Sequence, residues 1–461
     1  MAKEFKLRSR FEVVGAFWEP SKPDDKFTGR LISDGDGITL ITSPTLRPAG
    51  TFRYFSIGGS GSDDRKPVVH GQTTEGACTL FWLQSGMPSG LLDFSAGDLT
   101  FRVYRVSLGV FGLHLPALES ECLRSASFRY SGLHKWISIH PQITDTPEAI
   151  QITNRKDQPP LLDVCSTQLR ARIQLEMVPH LTMDNSGEYR TNHEVLLRVD
   201  SAEPKTLEWF MELARRFENL FSLLLGTSVV LTAISITHEE KKGWTVRKEG
   251  ARAQKPDMRF WVACSAEQLT EALSNWLSTP PEFRALESLV YGTIRQTSMF
   301  VETEFLSLSQ ALESFARLTD RSQVTDPGLF KQVVADLNTY VKNMCANTGL
   351  ATRLFESVRY ANEPNFRTRM ERLIGRLPDD YQKKLLGDVV AFETTLRQTR
   401  NCLTHPGIDK GGHVLTRASD LFIFNQKLHA LLRLLMLMHI GFAAQDVFEP
   451  VWQQANRYRL L

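Results

Sequence analysis

The stretch Thr399-Arg-Asn-Cys-Leu-Thr-His-Pro-Gly407 holds the residue types best suited to chemistry on a phosphodiester. A guanidinium grips phosphate oxygens with a fork of donors, and an imidazole carries protons near neutral pH. Arg400 and His405 supply these groups, with Asn401 beside them in a compact polar cluster. Their spacing alone says little, because Arg65/His70 and Arg129/His134 repeat it in turn-rich β sequence. Context separates the third copy from the other two. Upstream, Val389, Phe392, Leu396 and Leu403 fall on one helix face. Glu393 and Arg400 lie at the rim of that stripe, and Arg397 and Asn401 turn further toward solvent. Glu393 can pair with Arg397 four residues on.

On an unbroken helix, five positions turn two side chains about 140° apart. Pro406 changes this by biasing His405 out of the α region, and Gly407 offers a stop. The helix can therefore end at His405 and let its imidazole swing back toward Arg400. A capping histidine and a snorkelling arginine are the plainer account of the same residues.

Other chemistries find less support. Ile57-Gly-Gly-Ser-Gly-Ser62 has the glycines of a phosphate loop but lacks the Lys-Ser/Thr ending that would meet phosphate and metal. No His-Glu-x-x-His and no paired His/Cys cluster offers metal-ligand spacing, and no Gly-x-Ser-x-Gly marks a hydrolase elbow. Neither a metal nor an organic cofactor is expected. The basic run from Glu239 to Pro256 could touch phosphate, but a solvated hairpin loop accounts for it as well.

The elements that must position Arg400 and His405 belong to a chain of two characters. Its 461 residues exceed one ordinary core, and 42% hydrophobic with 23% charged residues is globular composition. Fifty-four Lys+Arg against 52 Asp+Glu leave a net charge of +2, so any nucleic-acid footprint must be local. Residues 352–400 hold ten Lys/Arg and seven Asp/Glu, which favours RNA only mildly. Six scattered cysteines without a CxxC pair suit a reducing cytosol. The first twenty residues lack the apolar core of a secretory signal, and His429–Ala444 is too short and too interrupted to span a bilayer comfortably. A soluble cytoplasmic protein without a membrane partner is expected.

Residues 11–200 alternate β-branched or aromatic runs with Gly/Pro clusters. Strands are expected at 39–42, 78–83, 99–106, 135–139, 169–175 and 194–199. A helix is predicted over 203–225, followed by strands near 229–237 and 258–264. From about Glu267 the spacing is helical, with helices at 301–318, 328–343, 353–360, 365–377, 378–403 and 417–443. The fold class is α+β: a β-rich N-terminal region, residues 1–265, followed by an all-α helical bundle, residues 266–461.

Thr399-Arg-Asn-Cys-Leu-Thr-His405 resembles the Arg-Asn-x-x-x-His form of the HEPN ribonuclease motif. Leu308-Ser-Gln-Ala-Leu-Glu-Ser-Phe315 is similar to the early HEPN helix of the ApeA-like branch. Phe11-Glu-Val-Val-Gly-Ala-Phe-Trp-Glu-Pro20, with Phe27-Thr-Gly-Arg-Leu31, is similar to the ApeA-type N-terminal domain. The resemblance implies an anti-phage protein of the abortive-infection kind. Its HEPN bundle would be a metal-independent, toxic endoribonuclease, commonly a homodimer, acting on cellular RNA such as tRNA. Arg400 would stabilise the phosphorane, His405 would move protons, and Asn401 would position Arg400 or the RNA. Glu313, in the family's early helix, would orient the arginine, although pairing with Arg317 explains it equally well. Glu393 and Arg397 would support the helix. The β domain would sense a phage-derived trigger. The alternative is a non-catalytic RNA-binding or dimerisation module whose β domain docks a protein partner.

Overall fold

A computed structural model describes residues 4–42, 68–81, 84–85, 102–136, 142–146, 149–153, 162–183, 189–238, 241–247, 260–296, 298–344, 348–359, 361–405 and 412–457. Within them the strands are β1 (Phe11–Trp18), β2 (Phe27–Ser33), β3 (Ile38–Thr42), β4 (Val68–Thr73), β5 (Gly76–Phe81), β6 (Gln84–Ser85), β7 (Arg102–Val106) and β8 (Leu108–Phe111). Then come β9 (Leu123–Tyr130), β10 (Gln142–Thr146), β11 (Ala149–Thr153), β12 (Leu162–Ser166), β13 (Ala171–Met183), β14 (Tyr189–Lys205), β15 (Leu231–His238) and β16 (Lys241–Arg247). Two helices interrupt them, α1 (Leu133–Trp136) and α2 (Leu207–Leu225). After the strands run α3 (Ala266–Leu277), α4 (Phe283–Arg295), α5 (Val301–Thr319), α6 (Pro327–Met344) and α7 (Thr348–Arg359). The last are α8 (Phe366–Ile374), α9 (Asp379–Leu386), α10 (Val389–Thr404), α11 (Ala418–His439) and α12 (Ala444–Asn456). This is the expected order, a β-rich region followed by helices.

The chain forms two compact units. One comprises Met1–Met258 with Cys264–Leu277, the other Arg259–Ala263 with Ser278–Leu461. Helix α3 thus groups with the strands, packing on β12 and α2.

In the first unit the described strands, apart from the β10–β11 hairpin, join one antiparallel sheet. Its order is β12-β13-β14-β9-β15-β16-β8-β5-β4-β1-β2-β3-β7-β6. Alternation sets its faces: Ile38, Leu40 and Thr42 of β3 are buried while Thr39 and Ile41 between them are less so. Helix α2 starts where Thr206 accepts the Trp209 N–H at 3.0 Å and ends at Gly226, whose φ of 66° suits glycine. Its buried Phe210, Leu213, Phe217, Leu220 and Leu224 are those the helical spacing picks out.

Several expectations need correction. Residues 203–205 finish β14 rather than open α2, because the Thr206 cap fixes the helix start after them. The described part of 135–139 is helical: Gly132, at φ 80°, turns the chain, and Lys135 N–H donates to its carbonyl. No strand forms at 260–264; the Phe260 carbonyl accepts from the Arg433 side chain at 2.9 Å instead of from a ladder. The basic run after 239 holds strand β16, paired with β15 and β8. Residues 57–62 and 248–256 lie outside the described residues.

The second unit packs around α5, which contacts α4, α8, α10 and α11. Its buried Phe305, Leu308, Leu312 and Phe315 form the seam expected from their spacing. Helix α11 is long and apolar enough to cross a membrane, but two thirds of that stretch (67%) is buried within the fold. Instead of one helix over 378–403, α9 and α10 are separate. Gly387, at φ 84°, breaks the chain, and Asp388 caps α10 by accepting the Ala391 N–H at 2.8 Å.

Candidate active site

Helices α5, α8 and α10 pack against one another and place their polar residues around one guanidinium. Phe392 and Leu396 of α10 are buried, which fixes the rotation of the helix and leaves Arg400 half-buried at its edge. Arg400 Nη2 donates to Glu313 Oε2 of α5 at 2.7 Å. The guanidinium lies over the Phe366 ring of α8, 4.9 Å from its centroid. Nε and Nη1 make no hydrogen bond among the described residues. They are the donors left for an anion.

Glu313 is nearly buried and divides its two oxygens. Oε2 takes Arg400, and Oε1 takes Arg317 Nε and Nη2 at 3.3 and 3.1 Å. Arg317 Nη1 reaches Glu363 Oε2 at 2.8 Å, and the same oxygen accepts Arg369 Nη2 at 2.6 Å. Arg369 is buried and also donates Nε to the Pro364 carbonyl at 2.7 Å. Three guanidiniums and two carboxylates thus alternate in a chain that keeps one net positive charge. A buried carboxylate with two guanidinium partners is held in place from both sides, and it positions Arg400 without neutralising the whole cluster.

His405 closes α10. Its φ and ψ of −129° and 84° leave the helical region, and its N–H donates to the Asn401 carbonyl at 2.9 Å. The helix therefore stops at the expected residue, while Pro406 and Gly407 lie outside the described residues. The His405 side chain is exposed and has no hydrogen-bond partner among the described residues. Asn401 is half-buried on the same last turn. Thr404 Oγ1 donates back to the Arg400 carbonyl at 2.9 Å, which tightens that turn. Thr399, fully buried, accepts the Leu415 N–H at 3.0 Å and brings the chain back after His405.

The remaining candidates serve the scaffold. Glu393 is buried rather than on the rim, because its turn of α10 faces inward, and Arg397 Nε meets its Oε1 at 3.2 Å. Glu313 meets both Arg400 and Arg317, and it is buried rather than on the surface. The sequence reading missed Phe366, Glu363 and Arg369. The run Phe366-Arg-Thr-Arg-Met-Glu-Arg372, with three arginines on one short helix, was the available signal.

The other two Arg/His pairs have different surroundings. Arg65 lies outside the described residues. Its would-be partner, His70 of β4, stacks on His114 at 4.7 Å and meets the Leu115 carbonyl at 2.8 Å. Burial, with His114 adding, holds the His70 imidazole below its ordinary range against the opposing carbonyl contact. Arg129, next to last in β9, lies between two carboxylates, meeting both oxygens of Glu4 and, at 3.1 Å, Glu194.

The family model for ApeA N-terminal domain 1 matches residues 12–276, and the model for Apea-like HEPN matches residues 306–446. No curated protein and no solved structure gives a match. The first match covers more than half of the chain, and the second contains Glu313, Phe366, Arg400, Asn401 and His405: the chain belongs to the ApeA-type HEPN family.

Proposed function

We propose that this protein is an anti-phage endoribonuclease of the cytoplasm, toxic to its own cell once triggered, and that Arg400, Asn401 and His405 form its catalytic set. The observation carrying this reading is Arg400, pinned at one nitrogen by buried Glu313 with its other donors unbonded among the described residues, about a turn and a half before an exposed histidine. In the reaction the RNA 2′-oxygen attacks the adjacent phosphorus and the bond to the 5′-oxygen breaks. The products are a 2′,3′-cyclic phosphate and a 5′-hydroxyl, and this transesterification requires no metal. Arg400 donates to the oxygens that gain charge at the pentacoordinate stage. His405 takes the 2′ proton or returns one to the 5′-oxygen. Asn401 positions the strand beside Arg400. The substrate class is cellular RNA with unpaired segments, such as tRNA loops, where the scissile bond is accessible.

A homodimer through the helical unit supplies two imidazoles, one to accept and one to donate. Helix α6 supports self-association. It has no buried residue, yet it exposes Val333, Leu337, Tyr340 and Met344 at heptad-like spacing. The β-rich unit then senses the phage product that releases activity.

Sequencing of RNA 5′ ends after induced expression tests the catalytic reading. Wild type should create new 5′-hydroxyl ends in cellular RNA, and His405→Ala should create none. The same ends from the variant would remove His405 from the reaction.

A further inference from the structure

Beside Arg400 runs a groove of about 660 Å³ that the catalytic reading does not use. Its walls include Glu313, Arg317, Phe366, Arg369 and Arg372. Glu313 and Phe366 are also the two contacts of Arg400, so the groove opens on the residues that hold the catalytic guanidinium. Its volume falls in the range of a small-molecule pocket and is enough for one nucleotide.

The groove is fixed. Buried Asn362 ties the 323–325 segment to the turn before α8, donating to Gln323 Oε1 and the Thr325 carbonyl, both at 3.1 Å. Its Oδ1 accepts the Thr325 N–H at 2.8 Å, and its carbonyl accepts the Val324 N–H at 2.9 Å. With the Asn362 side-chain amide and carbonyl engaged, the two walls cannot part without breaking this set.

The three arginines differ in what they have left to give. Arg369 is buried and committed to Pro364 and Glu363. Arg317 spends all three nitrogens on Glu313 and Glu363. Arg372 is 44% exposed and, among the described residues, uses Nη1 alone, on Ser322 Oγ and, at 3.5 Å, on Asp320. It lies six residues along α8 from Phe366, about 9 Å at helical rise. That is too far to serve the phosphate held by Arg400, and it suits a neighbouring one.

We infer that this groove binds the nucleotide next to the scissile phosphate, with Arg372 as a clamp on that nucleotide's own phosphate. The inference rests on the proposed ribonuclease reading for its substrate class, but its test is of binding alone. Arg372 touches no reacting atom here; it sets the register of the strand over Arg400.

The experiment measures fluorescence anisotropy of a short labelled single-stranded RNA with full-length protein carrying His405→Ala, over a series of salt concentrations. Adding Arg372→Ala should weaken binding about tenfold and lower the slope of log affinity against log salt by about 1. Arg372→Lys, which keeps a point charge, should recover most of both. Equal affinity and equal slope with and without Arg372→Ala would overturn the inference. So would the absence of RNA binding, or competition by polyglutamate as strong as that by unlabelled RNA. If wild type binds RNA through Arg372 but cleaves none, the groove stands and the nuclease assignment falls.

Discussion

Arg129/His134 and Arg400/His405 share one spacing and meet opposite surroundings. Arg129, next to last in β9, has Glu4 and Glu194 on its guanidinium, which faces the Trp244 ring at 5.4 Å. Two carboxylates engage this one guanidinium, and the further cations Lys242 and Arg198 lie close enough to act on the same cluster. Arg400 has one carboxylate, and Glu313 must share itself with Arg317. The positive balance, with Nε and Nη1 unbonded among the described residues, gives the second pair the donors that our proposed anion site requires. What distinguishes a catalytic candidate is therefore the count and sharing of acceptors around the arginine, not its distance in sequence from a histidine.

The sharpest way to break this contrast is to remove each histidine. His405→Ala should lower RNA cleavage by about 10²–10⁴-fold, the usual reach of a positioned acid–base group. His134→Ala should leave cleavage unchanged. Single-turnover cleavage of purified tRNA by both variants reads the difference, and equal losses would erase the distinction between the pairs.

Removing the arginines is expected to separate catalysis from stability. Arg400→Ala should cost about 10²–10³-fold in rate, as loss of an oxyanion donor does. Its thermal midpoint should change little, because the Glu313 carboxylate keeps Arg317. Arg129→Ala should do the reverse, costing about 1–2 kcal/mol of stability as Glu4 and Glu194 lose their shared donor. Its cleavage rate should stay that of wild type. Denaturant unfolding beside the same cleavage assay checks both halves.

The reach of the sequence follows how local each cause is. Helix α2 is readable in its apolar seam and its end, which lie within one stretch, while the spacing alone starts it at 203, ahead of the Thr206 cap. The α9–α10 break is not, because the apolar spacing runs through Gly387 as though the helix continued. Only the pairing of that glycine with Asp388 as a cap marks the restart. Arg400, Asn401 and His405 occupy one turn and a half, so a short motif exposes them. Glu313 comes from another helix and was reachable only through the family's early helix. Phe366, Glu363 and Arg369 join the site through the packing of α8 on α5 and α10, which no residue spacing encodes.

Glu313 offers the finest test, because it is the residue that makes the two arginines unlike. Glu313→Gln keeps shape and volume while replacing a charged acceptor by a neutral one. The hydrogen bonds to Arg400 and Arg317 weaken, since charge-assisted bonds are roughly twice as strong as neutral ones. The cluster also gains a positive charge, which by itself would draw RNA in more tightly. If Glu313 only tempers charge, the variant should bind RNA better and cleave it as well as wild type. If it aims the Arg400 fork, RNA binding should hold or improve while kcat falls about tenfold. The Arg400 geometry and its divided acceptor favour the second result, and Glu313→Asp should fail similarly because the shorter side chain cannot span both partners. A kcat equal to wild type in Glu313→Gln would reduce this carboxylate to a structural tie between α5 and α10.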